Sequence, residues 1–373
     1  MILLICSRMN IAIDASRYKA DGATGVEWYS WHIINALQKE FDGKSGDRLI
    51  LYSREVLSLT DAENRVLPAK RFWTLKALSK EMKKNPPDVL FVPSHTLPLT
   101  LPKRSVITIH DVAFRYLKSS YSFFQYQHLD RSTRRAVRRA DKIIVPSTAT
   151  AEDLAVFYNC PPEKIVHIDH GFEPPPPVDN NIFHTSDVFK YFDITPSTPY
   201  VLFVGRLESK KNLERLVRAF SIFHKRHPHF KLILAGKRGV GFSGILRTVR
   251  ELNLGDSVIM PGYITEEEKH ALYKYCRVFA FCSLYEGFGL PILEAFYHGK
   301  PVLTSNLSSM PEVGKDAVLY VDPYDAACIA EKIEILAQDD EYVRELVKEG
   351  HARLKDFSWE KAAKETLKVL YGQ

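Results

Sequence analysis

The sequence predicts an α/β protein built from two doubly wound, Rossmann-like domains, and three observations lead there. The chain has 373 residues, more than one ordinary hydrophobic core accommodates, so two domains are expected. Short apolar runs alternate with amphipathic helical patterns along most of its length. The alternation halts once, at GFEPPPP (171–177), and then restarts. Four consecutive prolines exclude helix and central strand and read as a stiff connector.

In the first half, NIAID (10–14), RLILY (48–52), DVLFV (88–92), SVITI (105–109), KIIV (142–145) and KIVHI (164–168) have the length and β-branched content of buried strands. Helical patterns fall at about 25–40, 74–84, 122–140 and 148–158, the last with Ser147 at its N-cap. In the second half the strands are YVLFVG (200–205), KLILAG (231–236), SVIM (257–260), VFAFC (278–282) and PVLTS (301–305). Helices follow at about 212–227, 244–253, 266–276, 290–299 and 324–337, and a last one covers about 357–372. Two successive βα series imply two open sheets, whose ligands bind beyond the carboxyl ends of the strands. The domains are expected at 1–178 and 179–356.

Hydrophobic content of 45% and 26% charged residues belong to a soluble globular protein. No apolar run approaches the roughly 20 residues that span a bilayer. MILLICSR at the start has a short apolar run without a cleavage signature, so a secretory signal is not expected, and Met9 is an alternative start. The five cysteines (6, 160, 276, 282 and 328) form no C-x-x-C pair, which fits a reducing cytoplasm and gives no sign of zinc. No D-x-D occurs and the thirteen histidines show no metal pattern, so no metal is expected.

The net charge is +6, and RSTRRAVRRADK (131–142) sets Arg131, Arg134, Arg135, Arg138 and Arg139 at helical spacings. Such a helix suits a solvated face or a surface that leans on anionic lipid. No nucleic-acid module accompanies the charge, so nucleic acid is not an expected partner.

The stretch SLYEGFGLPILEAFYHGKP (283–301) carries chemistry that packing does not account for. Pro291 suits a helix start and Gly299 a helix stop. Glu294 is then expected in the first turn and Glu286 in the preceding loop, with Gly287, Phe288 and Gly289 between. Glycines let backbone approach a ligand, and free N–H groups at a helix start attract anions. Ionised carboxylates are pure acceptors, so the two glutamates suit hydroxyl-rich ligands such as a sugar or a ribose diol. The same residues also read as a loop charge and a helix-dipole partner.

After YVLFVG comes GRLESKKNLERL, where Arg206 and Lys211 flank a turn ahead of a helix starting near Asn212. A forked donor and a point charge there can hold a diphosphate; an exposed basic loop is the plainer alternative. His110-Asp111 directly follows SVITI, where a histidine can face a substrate or serve as a structural hydrogen-bonder. Gly22-Ala23-Thr24-Gly25 follows the first strand and opens a helix, a further anion-compatible turn. Gly239 to Gly244 matches G-x-G-x-x-G, but it follows the wrong strand and lacks the later acidic residue, so no nicotinamide cofactor is expected. DGKSGD (42–47) lacks the upstream glycine of a P-loop and reads as a turn.

EGFGLPILE, Glu286 to Glu294, resembles the E-x7-E motif of retaining glycosyltransferases with the GT-B fold, family 4 in particular. Gly205-Arg206 with Lys211-Asn212 is similar to that family's diphosphate-binding loop. SNLSSMPEV (305–313), the closing helix and His110-Asp111 also match in order. The resemblance implies two Rossmann-like domains facing across a cleft, the first (1–178) for the acceptor and the second (179–356) for a nucleotide-sugar. Residues 357–373 would pack back on the first. It implies that Glu294 holds the ribose hydroxyls and Glu286 the donor sugar, with backbone N–H groups around Gly287, Phe288, Gly289 and Leu290 assisting. Arg206 and Lys211 would take the diphosphate, Gly25 would be a phosphate neighbour, and His110 would sit near the sugar and the reacting bond.

The implied reaction is hexose transfer with retention, without a metal, to a glycan or lipid-linked acceptor. The SNLSSM loop is similar to mannosyltransferase-like members and favours GDP-mannose over UDP-sugars as co-substrate. The turn TGVEWY departs from the frequent TGIGRY, placing Glu27 and Trp28 where glycine and arginine are common. The alternatives are an epimerase of the UDP-GlcNAc type and a non-catalytic nucleotide-sugar-binding protein. The expected location is the cytoplasm, peripheral at the inner face of the plasma membrane if 131–142 meets lipid.

Overall fold

The computed structural model describes residues 8–19, 22–42, 46–57, 62–69, 71–179 and 181–373. Cys6, with the rest of the first seven residues, and the middle of the DGKSGD turn lie outside the described residues. The chain divides into two compact units. One comprises residues 1–115, 122–171 and 357–373, the other 116–121 and 172–356.

The first unit holds a seven-stranded sheet of β1 (Asn10–Asp14), β2 (Arg48–Ser53), β3 (Glu63–Val66), β4 (Val89–Val92), β5 (Arg104–Thr108), β6 (Lys142–Val145) and β7 (Ile165–His167). Its order is β3-β2-β1-β4-β5-β6-β7, and every pairing is parallel. Helices cover both faces of such a sheet, so its inner strands are unbroken apolar runs; β4, VLFV, is buried at every position. Polar β3, ENRV, is an edge strand that sequence periodicity does not reveal.

The helix Gly25–Glu40 opens with a capping box in which the side chains of Thr24 and Glu27 each accept from the other's backbone N–H. Glu27 also meets Arg17 at 3.5 Å, so this departure from the family turn closes the helix start. The helix Trp359–Tyr371 lies against Gly25–Glu40 and adds Trp359, Ala362, Ala363, Val369 and Leu370 to the core of this sheet. Arg104 binds the carbonyls of Val369 and Leu370 at its end, which suits a cation at a helix C-terminus. The pattern at 74–84 is a π-helical turn, Thr74–Leu78, followed by α-helix Ser79–Lys84. Ser79 Oγ donates back to the Leu75 carbonyl and accepts from the Leu99 N–H.

The second unit holds a six-stranded sheet of β8 (Tyr200–Val204), β9 (Lys231–Ala235), β10 (Val258–Gly262), β11 (Val278–Phe281), β12 (Val302–Ser305) and β13 (Leu319–Val321). The order is β10-β9-β8-β11-β12-β13. Edge strand β13 is three residues long, and the helix Asp340–Leu354 is exposed along most of its length; neither gives a strong apolar period in the sequence. The strand order reverses between β8 and β11, so the loops that leave them diverge at the carboxyl edge of the sheet. A ligand crevice of an open α/β sheet opens there.

Candidate active site

After β8 the chain turns at Gly205, where φ is +147°. It runs through Arg206 into a 3₁₀ turn, Ser209–Lys211, and enters the helix Leu213–His224 through Asn212 in the left-handed conformation. The loop packs closely against glycines after β9. A Cβ on Gly236 would lie 2.0 Å from the Gly205 carbonyl oxygen, and one on Gly241 would lie 1.9 Å from Ser209 Oγ. A Cβ on Gly239 would meet Glu208 Cβ at 2.8 Å. The G-x-G-x-x-G match therefore serves the Arg206–Lys211 loop by leaving room for it.

After β11 comes the glutamate loop, and Asn212 joins it to the first. Its Nδ2 donates to the carbonyls of Cys282 (3.2 Å) and Pro323 (2.6 Å), and the Leu284 N–H donates to the Lys210 carbonyl at 2.9 Å. These bonds set Lys211 Nζ 2.6 Å from Glu286 Oε1, both side chains largely buried. Lys211 Nζ also stands 5.2 Å from the Phe281 ring centre, a cation–π distance. Burial pushes the Lys211 ammonium below its ordinary range, opposed by the charge of Glu286. Among the described residues one of its three N–H donors is committed to Glu286, which leaves two for other acceptors.

The backbone of the glutamate loop is fixed from β12's side. Ser308 Oγ donates to the Glu286 carbonyl at 2.6 Å, and Ser309 Oγ contacts the carbonyls of Glu286 (3.0 Å) and Phe288 (2.6 Å). The Phe288 side chain is buried, so what Gly287, Phe288 and Gly289 offer a ligand is backbone. Gly289 has φ +122° and precedes the helix Leu290–Tyr297, with Pro291 its second residue.

Glu294 is the fifth residue of that helix, one position beyond the expected first turn. Its partners come from the helix Glu266–Tyr275: Lys269 Nζ donates to Oε1 at 2.7 Å and Tyr273 Oη to Oε2 at 2.9 Å. Burial pushes the Glu294 carboxyl up, but the Lys269 charge and the two hydrogen bonds outweigh it and hold the pKa below the ordinary value. Lys269 is raised: burial is outweighed by Glu294 and by Glu266, whose Oε2 lies 2.6 Å away. Beside them His270 Nδ1 and His298 Nε2 are 3.0 Å apart, and burial with the neighbouring His270 brings His298 down to about 4.

Sequence reasoning named Glu294 but neither Lys269 nor Tyr273. The signal was available in TEEEKHALY. Thr265 and Glu268 form a capping box that marks the helix start, and Lys269 and Tyr273 then share one face four residues apart.

Arg206 projects an exposed side chain from the β8 loop. The structure thus brings Lys211 and Glu286 into contact, holds Glu294 with other partners, and places all three with Arg206 in the second unit. The two remaining candidates belong to the first unit. Gly25 is the first residue of its helix, with nothing within 4 Å of where a Cβ would stand. His110 follows β5; its Nε2 lies 3.1 Å from the Pro93 carbonyl and its ring is edge-on to Tyr29. Only a protonated nitrogen bonds a carbonyl, so Nε2 carries the proton and Nδ1 is the acceptor. Burial lowers the ring's pKa, against the Pro93 bond and Asp111, and favours the neutral form.

Among the described residues no group of three or more His, Cys, Asp or Glu side chains comes together as metal ligands. No described helix is long and apolar enough to cross a membrane.

Two family models match the chain. The one described as Glycosyl transferases group 1 matches residues 187–353, and the one described as Glycosyltransferase Family 4 matches residues 23–174. The chain is 27% identical over 341 residues to the O-antigen chain mannosyltransferase B of Escherichia coli, covering 90% of this chain and 86% of that protein. It is 30% identical over 233 residues to the serotype-specific mannosyltransferase WbdA of Escherichia coli, spanning 60% of this chain but only 28% of that larger protein. Among solved structures, the sucrose-phosphate synthase of Thermosynechococcus elongatus superposes with a TM-score of 0.75 at 21% identity, over 98% of this chain and 99% of that one. Two parallel Rossmann-like sheets are the α/β architecture of the GT-B fold shared with these solved structures. The chain belongs to the family 4, group 1 glycosyltransferases and resembles their mannosyltransferases.

Proposed function

We propose that this enzyme transfers mannose from GDP-mannose to a glycan or lipid-linked acceptor, with retention at the anomeric carbon and without a metal. The observation that carries the reading is the buried Lys211–Glu286 pair at the carboxyl edge of β8 and β11, with Glu294 eight residues further on. Breaking the anomeric C–O bond leaves negative charge on the diphosphate. Arg206 and the two uncommitted Lys211 donors, with helix-start N–H groups, are suited to stabilise it. Glu286 orients the sugar hydroxyls. Its contact with Lys211 spreads its charge, which suits an acceptor of hydrogen bonds better than a covalent nucleophile. Glu294, held ionised, takes the ribose diol. The acceptor hydroxyl attacks from the leaving-group side and a diphosphate oxygen takes its proton. His110, with Nδ1 free of a proton, is suited to accept from a sugar hydroxyl.

The mannosyltransferases among the relatives support mannose, and so does the SNLSSM loop. The arginines of 131–142 support an anionic membrane surface as a partner, reached from the cytoplasmic side. The test is thermal stabilisation by GDP-mannose, UDP-glucose, UDP-GlcNAc and their nucleoside diphosphates with EDTA present. GDP and GDP-mannose are expected to stabilise, and Arg206→Ala or Glu294→Ala to abolish the shift. Stabilisation by uridine nucleotides alone, or only without EDTA, overturns the donor or the metal-independent part. Product anomeric configuration, read by NMR, tests retention.

A further inference from the structure

The loop that carries Arg206 and Lys211 has a second side. A cavity of about 310 Å³ opens there, within the second unit, between the start of the helix Leu213–His224, Ile245 of the helix Phe242–Glu251 and Leu284 after β11. Strand order runs β10-β9-β8 on one side of the reversal and β11-β12-β13 on the other. Crossovers between parallel strands are right-handed. The helices that follow β8 and β9 therefore cover one face of the sheet, and the helix Leu290–Tyr297, which follows β11, covers the opposite one. The cavity belongs to the face away from Glu294 and its partners Lys269 and Tyr273.

Its lining is balanced in charge. Arg215 and Arg218 line it as cations, Glu208 and Glu214 as anions. Leu213, Ile245 and Leu284 supply an apolar wall and Ser209 a hydroxyl. Arg215 is held in place: its Nη1 donates to Asn212 Oδ1 at 2.8 Å, and its guanidinium carbon stands 5.0 Å from the centre of the Tyr324 ring. Arg218 and Glu208 keep hydrogen-bonding capacity for a ligand. Arg218 Nη2 is 3.7 Å from Glu251 Oε2, and Glu208 Oε1 is 3.8 Å from Lys210 Nζ, both beyond hydrogen-bond length.

Two carboxylates oppose a phosphate, and two guanidiniums oppose an ammonium, because like charges at close range repel strongly away from bulk water. A purely apolar ligand would strip water from four charged groups and replace none of its hydrogen bonds. A neutral pyranose meets every part of the lining. Its hydroxyls donate to carboxylates and accept from guanidiniums, and its C–H face suits the leucine and isoleucine wall. The volume, at the small end for a ligand site, suits a single sugar ring. We propose that this cavity binds an uncharged pyranose, either free or as one unit of a glycan, with Arg215 and Arg218 donating to its oxygens and Glu208 and Glu214 accepting from its hydroxyls. It is a second sugar site, separate from that of the donor and independent of which nucleotide the donor loops take.

The test is a ligand-observed NMR titration of the full chain with methyl α-mannopyranoside, methyl α-glucopyranoside, mannose 6-phosphate, mannosamine and an α-linked mannotriose. A neutral pyranoside is expected to bind roughly tenfold or more tightly than the phosphorylated and the aminated sugar. Glu214→Ala and Arg218→Ala, neither of them a proposed donor ligand, are each expected to weaken it by roughly tenfold, with cooperative melting retained. Glu294→Ala is expected to leave it unchanged, which separates this cavity from the donor site. Tighter binding of the mannotriose assigns the cavity to a glycan chain and equal binding assigns it to a free sugar; both uphold the site. A charged sugar binding as tightly as the neutral ones overturns the ligand class. No binding of either neutral pyranoside, or equal affinity in wild type and both cavity variants, overturns the site, and nucleotide stabilisation that persists then leaves the donor reading standing. Loss of affinity in Glu294→Ala alone assigns the binding to the donor site and overturns the proposal as well.

Discussion

Lys211 and Glu286, 75 residues apart in the chain, meet at 2.6 Å with both side chains largely buried. The charge of Glu286 opposes the burial that pushes the Lys211 ammonium down, and each residue also carries a proposed role toward the donor. Lys211→Met is expected to destabilise the protein by about 3 kcal/mol, because it leaves a buried carboxylate unpaired. The double variant Lys211→Met/Glu286→Leu is expected to recover most of that stability and none of the transfer activity. Denaturant unfolding together with turnover reads both; recovery of activity with stability would show that the pair serves folding alone.

The Glu294–Lys269 pair sets a pH window. Glu294 is held below its ordinary 4.5, so the stability it contributes is present above that value and lost as pH falls through the folded one. Lys269 is held above its ordinary 10.5, so its contribution is present below that value and lost as pH rises through the folded one. Between about pH 5 and 9 the pair adds no slope. In Lys269→Met burial is opposed by no more than His270 and Tyr273, the carboxyl's pKa rises, and stability is expected to fall as pH climbs above about 5. Melting temperature against pH checks this, and a flat profile in the variant contradicts it.

Gly236 and Gly25 make a contrasting pair. At Gly236 φ is +142° and a Cβ would lie 2.0 Å from a backbone oxygen, so Gly236→Ala is expected to cost more than about 3 kcal/mol or to prevent folding. At Gly25 the space is open, and Gly25→Ala is expected to leave the melting temperature unchanged or slightly raised. A fall in transfer rate in Gly25→Ala then reports a ligand's approach to that helix start, and an unchanged rate removes Gly25 from the site.

Ser309 holds two carbonyls of the glutamate loop. Ser309→Ala is expected to cost about 1–3 kcal/mol for the buried acceptors it abandons, and to weaken donor binding through a loosened Phe288 backbone. Ser308→Ala is expected to do less, because among the described residues Ser308 Oγ bonds the Glu286 carbonyl alone. Donor affinity of the two variants, measured by calorimetry, ranks them; equal values would show that the Phe288 contact does not matter.

Central strands and long helices were legible because burial on both faces writes continuous apolar runs and amphipathic periods into the sequence. Edge strands β3 and β13 were not, being polar in the one case and three residues long in the other. For the site, the residue types and their loops were legible and the partners were not. Lys211 read as a diphosphate ligand and Glu286 as a sugar ligand, yet nothing in a linear pattern says that they touch. Lys269 and Tyr273 reach Glu294 from a helix before β11, a relationship that exists only once the sheet is assembled. At Gly239–Gly244 the linear pattern likewise does not say that the glycines lie against neighbouring protein atoms.

The helix Trp359–Tyr371 completes the core of the first unit, where a Cβ on Gly171 would already collide with the Trp359 backbone. Domains usually fold from the N-terminus as they emerge from the ribosome, but here that order is inverted. The segment 172–356 is fully translated before this helix exists, whereas the first unit must wait for residues 357–373 with part of its apolar surface uncovered. A stalled or truncated translation product lacking residues 357–373 therefore carries a nearly complete second unit joined to a sticky, unfinished first one, and is a natural client for chaperones.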